Sequence, residues 1–327
     1  MPVDPADAVT DVLGRPFAAE TIPLPRDDEG EVVATLVSRA SDVPTTKAVL
    51  HLHGFADYFF QAEFAEWWTA RGYDFYALDL RKYGRSLRPH QTPNFITDLR
   101  DYFPELDEAW RRVTVRDGHD HVVVSAHSTG GLISGLWADE RRPNELRGAV
   151  MNSPWLDLQG SAVMRVVGTP VIKGVATRRP MREIKRTVTG LYARSLHVDH
   201  EGEWEFNLDW KPVSSFTVYA GWLAAIRRGH ARLHRGLGLD CPVLVLSSDR
   251  SSTPTAMGDD VHGTDIVLSV PQIRRWATSY GSHVTYIAVA GARHDVVLSR
   301  PGPRKQAYDE IGRWLAAYVA PPKRDLI

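Results

Sequence analysis

HVVVSAHSTGGLISGLWADERR, residues 121–142, is the stretch on which the fold turns. Its first seven residues form a short apolar run rich in valine, which favours a strand. GLISGLWADERR (131–142) has helical spacing. Between them lies Ala126-His127-Ser128-Thr129-Gly130-Gly131, with small residues two before and two after the serine. A tight strand-turn-helix of this kind thrusts a serine Oγ out of the backbone toward a base, which an unactivated hydroxyl needs to become a nucleophile. The pattern is G-x-S-x-G with Ala126 in place of the first glycine. Such a string is common by chance, and its strand and helix flanks are what single out Ser128.

The same rhythm extends to both sides. EVVATLVS (31–38), KAVLHLH (47–53), YDFYALDL (73–80), LRGAVMNS (146–153), PVLVLSS (242–248) and HVTYIAVAG (283–291) read as strands. Helical spacing appears at 62–72, from Thr97 to about Arg116, at 269–281 and at 303–319. Short apolar strands alternating with helices predict an α/β protein with a mostly parallel, doubly wound sheet covered on both faces. The alternation stops between Leu158 and about Leu239, where basic pieces, a polar turn at 197–210 and a helix from Ser214 to Arg235 are expected. Residues 159–239 therefore read as a largely helical cap over the carboxyl edge of the sheet, where open α/β folds bind ligands. The core is then 1–158 and 240–327.

Three further stretches carry chemistry. His51-Leu52-His53-Gly54-Phe55 ends a strand, where this architecture places one backbone donor of an oxyanion hole, the residue after the nucleophile giving the other. That assigns Phe55 and Thr129. His-x-His also suits zinc, but Asp57 falls two residues too late for a His-x-His-x-Asp string, and no second ligand cluster is spaced to match. His197 with His200, and His230 with His234, read as surface histidines. Asp79-Leu80-Arg81 opens a structured loop in which Asp79 and Arg81 can pair. Gly291-Ala292-Arg293-His294-Asp295 puts His294 just past a late strand, at the same sheet edge as Ser128. The imidazole needs a carboxylate to fix its tautomer, and both Asp249 and Asp265 stand between serine and histidine in the chain.

Taken together, HGF (53–55), DLRKYGRS (79–86), AHSTGG (126–131) and RHD (293–295) resemble the α/β hydrolases of the monoacylglycerol lipase and lysophospholipase branch, often labelled serine aminopeptidase-like. The resemblance covers about 30–155 and 240–320. In that branch the acid lies in a string like ADRVVDP, roughly 30 residues before the histidine. TDIVLSVPQI fits it, so the resemblance implies Asp265 over Asp249. An extra loop, SSTPTAMGDDVHG (251–263), separates it from the preceding strand.

The implied activity is hydrolysis of a carboxylic ester with a bulky apolar part, through an acyl-enzyme and without a cofactor. A lactone of the zearalenone type is a sub-case; a ligand receptor, an acyltransferase and a peptide hydrolase are the alternatives on this fold. Trp204, Trp210 and Trp222 of the cap are the aromatic candidates for substrate contact. A net charge of −1 over 327 residues gives no electrostatic case for nucleic acid or an anionic membrane. No apolar run approaches the roughly 18 residues that span a bilayer. The N-terminal MPVDPADAVTDVLGRPF resembles no leader peptide, so a cytoplasmic protein is expected. The single cysteine, Cys241, is expected buried and inert.

Overall fold

A computed structural model describes residues 8–159 and 174–319. Among them nine strands form one sheet in the order β1-β2-β3-β5-β4-β6-β7-β8-β9. They are β1 (Val9–Thr10), β2 (Ala18–Asp27), β3 (Gly30–Arg39), β4 (Lys47–Leu52), β5 (Asp74–Asp79), β6 (His121–His127), β7 (Leu146–Asn152), β8 (Val243–Ser248) and β9 (Val284–Val289). From β5 to β9 every pairing is parallel. The first strands add an antiparallel margin.

Side chains along a strand point alternately to the two faces, and the core divides accordingly. Val122 and Val124 of β6 pack in one apolar cluster with helices α2 (Phe103–Arg111), α3 (Thr129–Arg141), α5 (Ala220–Leu233) and α6 (Val270–Trp276). Val123 packs in the other, with α1 (Ala62–Thr69) and α7 (Pro301–Trp314). Helices cover both faces of the sheet, as the alternating sequence predicts. The strand order reverses at β4, with β5 on one side and β6 on the other. A crevice opens at such a reversal, beyond the carboxyl ends of the strands.

Three departures from the sequence reading have local causes. β1 and β2 were not expected; β2 carries Pro23 and Pro25, which cannot donate to a ladder and are tolerated near a sheet margin. The helix expected from Ser214 begins only at Ala220, because Ser215 has a φ of 60° and Tyr219 is extended. The helix expected over 97–116 is α2 flanked by a 3₁₀ turn at Leu99–Tyr102 and a π turn at Arg112–Arg116.

A short helix, α4 (Leu191–Leu196), and α5 lie between β7 and β8 in the chain, within the range expected to form a cap. Residues 160–173 of that range, and 1–7 and 320–327 of the core range, lie outside the described residues; so does the start of the N-terminal stretch tested for a leader. Among the described residues no helix is long and apolar enough to cross a membrane. Cys241 is buried, which pushes its thiol pKa up to about 12.

Candidate active site

Ser128 stands between β6 and α3 with φ 52° and ψ −118°, a conformation that non-glycine residues rarely adopt. Neighbouring backbone holds it there. Its N–H donates to Asn152 O at 3.0 Å, and its carbonyl accepts from Gly131 and Trp155 N–H at 3.1 and 2.9 Å. Gly130 is required at its position: a Cβ there would lie 2.4 Å from His53 O and 2.8 Å from Leu52 O. The start of α3 can therefore approach the end of β4 closely, which brings Ser128 beside Gly54-Phe55.

His294 follows β9. Its Nε2 lies 3.1 Å from Ser128 Oγ and its Nδ1 2.9 Å from Asp265 Oδ2. Both His294 and Asp265 are buried. An ionised carboxylate can only accept, so Nδ1 carries the proton and the Nε2 lone pair faces the serine hydroxyl. Asp265 Oδ1 accepts from the Val267 and Leu268 N–H groups at 2.8 and 2.7 Å, which fixes the carboxylate. The 251–263 loop leaves and returns at a closed base. Asp265 N–H donates to Arg250 O at 3.0 Å and Asp265 O accepts from Ser252 N–H at 3.2 Å, so the extra residues do not displace the aspartate. Asp249 is exposed, accepts from Gly291 N–H at 3.1 Å and does not touch His294.

Phe55 and Thr129 both line the cavity that opens over Ser128. Among the described residues neither of their backbone N–H groups donates to a protein acceptor. An oxyanion hole needs two such free donors beside the nucleophile.

His51 is packed among Phe59, Phe64 and Phe75, and burial lowers its pKa to about 3. His53 donates from Nδ1 to Gly54 O at 2.8 Å and accepts Leu80 N–H on Nε2 at 3.1 Å. Both are engaged in the protein scaffold.

Several expectations need correction. Asp79 pairs not with Arg81 but with Arg85, at 2.8 Å, while Arg81 forms a buried pair with Glu105 at 2.7 Å. Asp79 also accepts from Phe59 and Arg85 N–H, which turns it away from its neighbour in the chain. His197 and His230 are buried, their Nε2 atoms bonded to Phe206 O and Trp155 O at 3.0 Å each. Of the three cap tryptophans, only Trp222 lines the cavity. Trp204 donates its indole N–H to Leu298 O at 3.1 Å beneath the Arg304 guanidinium, and Trp210 packs edge-on to Tyr58 at 5.1 Å; both lie outside the lining.

The cavity has a volume of about 360 Å³. Phe55, Trp155, Tyr192, Trp222, Val218 and Leu268 are among the apolar residues that line it with Ser128 and His294. Trp155, Tyr192, Arg186 and Lys211 were not singled out from the sequence, and Asp57 was weighed only as a zinc ligand and set aside. Asp57, two residues past Phe55, was the one with a positional signal. Glu201, Glu203 and Glu205 are exposed and absent from the lining; Glu201 and Glu203 pair with Arg194 and Arg304.

The profile of the serine aminopeptidase S33 family matches residues 44–257. Among solved structures, the chain is similar to a soluble variant of monoglyceride lipase from Saccharomyces cerevisiae in complex with a substrate analog. The TM-score is 0.65 at 16% identity, covering 91% of this chain and 95% of that one. A monoacylglycerol lipase of Paleococcus ferrophilus gives 0.63 at 17% identity, covering 86% and 98%. A thermostable carboxyl esterase of Bacillus coagulans gives 0.65 at 13%, covering 92% and 99%. At these identities the likeness establishes the α/β-hydrolase fold. No curated protein sequence is significantly similar to the chain.

Proposed function

The chain belongs to the serine aminopeptidase S33 family of α/β hydrolases, and on that footing we propose that it is a serine carboxylic-ester hydrolase with Ser128, His294 and Asp265 as its triad. The observation that carries the proposal is one imidazole in contact with both partners, 3.1 Å from Ser128 Oγ and 2.9 Å from Asp265 Oδ2.

In the proposed reaction Ser128 Oγ attacks the ester carbonyl as its proton passes to His294 Nε2. The negative charge on the former carbonyl oxygen is held by the Phe55 and Thr129 N–H groups. Asp265 stabilises the imidazolium and remains ionised. Collapse breaks the C–O bond to the alcohol, which leaves with the proton from Nε2. Water repeats the sequence on the acyl-enzyme, releasing the acid and restoring Ser128.

Residues 159–239 act in this reading as a cap, since Tyr192, Lys211 and Trp222 from that range share a cavity with Ser128. The apolar wall favours a substrate with a bulky apolar part, and a lactone offers the same bond in a ring. Ester is favoured over aminopeptide. A charged N-terminus needs a free carboxylate near the serine, and among the described residues the one carboxylate in the lining, Asp57, is already paired with Lys211.

The test is hydrolysis across p-nitrophenyl esters, monoacylglycerols, lactones and aminoacyl amides, with a fluorophosphonate probe alongside. Esters should be cleaved and Ser128 alone labelled. Ser128→Ala should abolish labelling and lower kcat by several orders of magnitude. An active Ser128→Ala enzyme would sink the proposal, and transfer to an added alcohol in preference to water would replace it with an acyltransferase.

A further inference from the structure

The cavity over Ser128 is not electrically balanced. Besides the histidines its described lining holds one carboxylate, Asp57, and two cations, Lys211 and Arg186. Lys211 Nζ is 2.7 Å from Asp57 Oδ1, and both side chains are buried, so that pair neutralises itself. Arg186 is left over. Among the described residues no carboxylate acts on its guanidinium.

The guanidinium is nevertheless held in place. Nη2 donates to Ser215 Oγ at 2.8 Å and to Phe216 O at 3.0 Å. Its carbon lies 5.6 Å from the centre of the Phe55 ring, which in turn lies 4.3 Å from Trp222. Nε and Nη1 have no protein acceptor among the described residues and remain available. Arg186 lines the cavity and is itself exposed, so a ligand can reach it from solvent; the desolvation that remains lowers its pKa, and a bound anion would offset it. The charge also continues outward. Arg178, Arg179, Arg182 and Lys185 are all exposed, and Glu183 is the single acid between 177 and 189. A cationic approach of this kind raises the local concentration of anionic ligands.

We propose that the ester taken by this cavity carries an anionic group, a carboxylate or a phosphate, and that Arg186 is the side chain that selects it. The inference rests on the hydrolase reading above and names the substrate class for the same site. An arginine held by one nitrogen presents its remaining N–H donors in a fixed plane, which suits either oxyanion.

Two matched pairs of esters test it. One is the p-nitrophenyl hemiester of a long dicarboxylic acid against the same molecule with its free carboxylate methylated. The other is a 1-acylglycerol 3-phosphate against the parent 1-acylglycerol. In at least one pair kcat/KM should favour the anionic member, and the pair that does so identifies the anion. Arg186→Gln should reduce that ratio by about tenfold, mainly through KM, the size expected of a hydrogen bond to a charged group. Arg186→Lys should restore part of it, and added salt should weaken it. A ratio near one in both pairs, or a ratio that Arg186→Gln leaves unchanged, overturns the inference while the hydrolase reading stands. A preference that depends only on anionic vesicles overturns it in favour of a membrane contact by the exposed cations. If no ester is cleaved, the hydrolase reading fails. The anion site is then read by calorimetric titration of the protein and its Arg186→Gln variant with octyl phosphate against octanol, where equal binding overturns it.

Discussion

Lys211 Nζ lies 2.7 Å from Asp57 Oδ1 although 154 residues separate them, and Asp57 is two residues beyond Phe55. Nearby, Asn207 N–H donates to Tyr58 Oη at 2.7 Å, and Phe206 packs on Phe60 at 4.9 Å between ring centres. The segment 206–211 therefore clamps the loop 55–60 from above. Since Phe55 N–H is a proposed oxyanion donor, the clamp sets the position of that donor from the wall of the same cavity.

Lys211→Met should accordingly damage both stability and turnover. It leaves the Asp57 carboxylate buried without its cation, a loss of about 3–5 kcal/mol for pairs of this kind. Thermal melting should show the loss, and the double variant Lys211→Met/Asp57→Asn should recover part of it. Burial raises the Asp57 pKa, but Lys211, together with the nearby His127 and His53, outweighs it, so the carboxyl titrates below its ordinary range. The pair's stabilisation is thus present above about pH 4 and lost as pH falls through the depressed pKa. The double variant should lack this acid-dependent component. Unchanged melting in Lys211→Met would show that the pair holds nothing in place.

Asp265→Asn and Asp249→Asn separate the two carboxylates that the sequence left in contention. The first removes the acceptor for His294 Nδ1–H and permits the wrong tautomer, which should cost orders of magnitude in kcat with the fold intact. The second keeps an amide oxygen that can still accept from Gly291 N–H and should remain within about threefold of the parent enzyme. Comparing kcat for the two, with circular dichroism as the control, decides the role. The reverse ranking would transfer it to Asp249.

Much of this geometry was legible because its residues lie at strand ends. Ser128, His294 and the HGF stretch each follow an apolar run directly, and the sheet carries those ends to one edge. Asp265 needed the family resemblance, since the 251–263 loop hides its return to the end of β8. Lys211 and Arg186 were illegible for a different reason. A lone cation in a polar segment has no periodicity, and its partner, or its want of one, exists only after folding. The same holds for His230, whose burial depends on how α5 packs against Trp155.

His51 and His230 make a second pH window. Burial lowers both pKa values to about 3. An unfolded histidine takes up a proton near pH 6.5, while these two stay neutral in the folded protein. Stability should therefore decline as pH falls from about 6.5 toward 3, above the range in which Asp57 titrates. Melting temperature measured from pH 7 to 4 should fall, and the fall should be shallower in His230→Gln. A flat profile in the parent protein would mean that these rings take up protons without unfolding.

Trp222 and Trp210 were equal candidates for substrate contact in the sequence, and their surroundings now separate them. Trp222 lines the cavity and packs at a tilt against Phe55, whereas Trp210 packs on Tyr58 outside it. Trp222→Ala should raise KM for long-chain or ring-bearing esters. A short acetate ester, which gains little from an apolar wall, should be affected far less. Removing one aromatic face corresponds to about 1–3 kcal/mol of substrate binding, hence roughly a tenfold to hundredfold change in selectivity. Trp222 is also buried against Trp155, so some thermal destabilisation will accompany the change, and the selectivity ratio rather than the raw rate is the diagnostic. Trp210→Ala removes an edge contact from the clamp over residues 55–60. It should lower the melting temperature and reduce turnover of short and long esters alike. Equal losses on short and long esters in Trp222→Ala would instead assign that ring to holding the cap together, and the apolar contacts would fall to Trp155 and Tyr192.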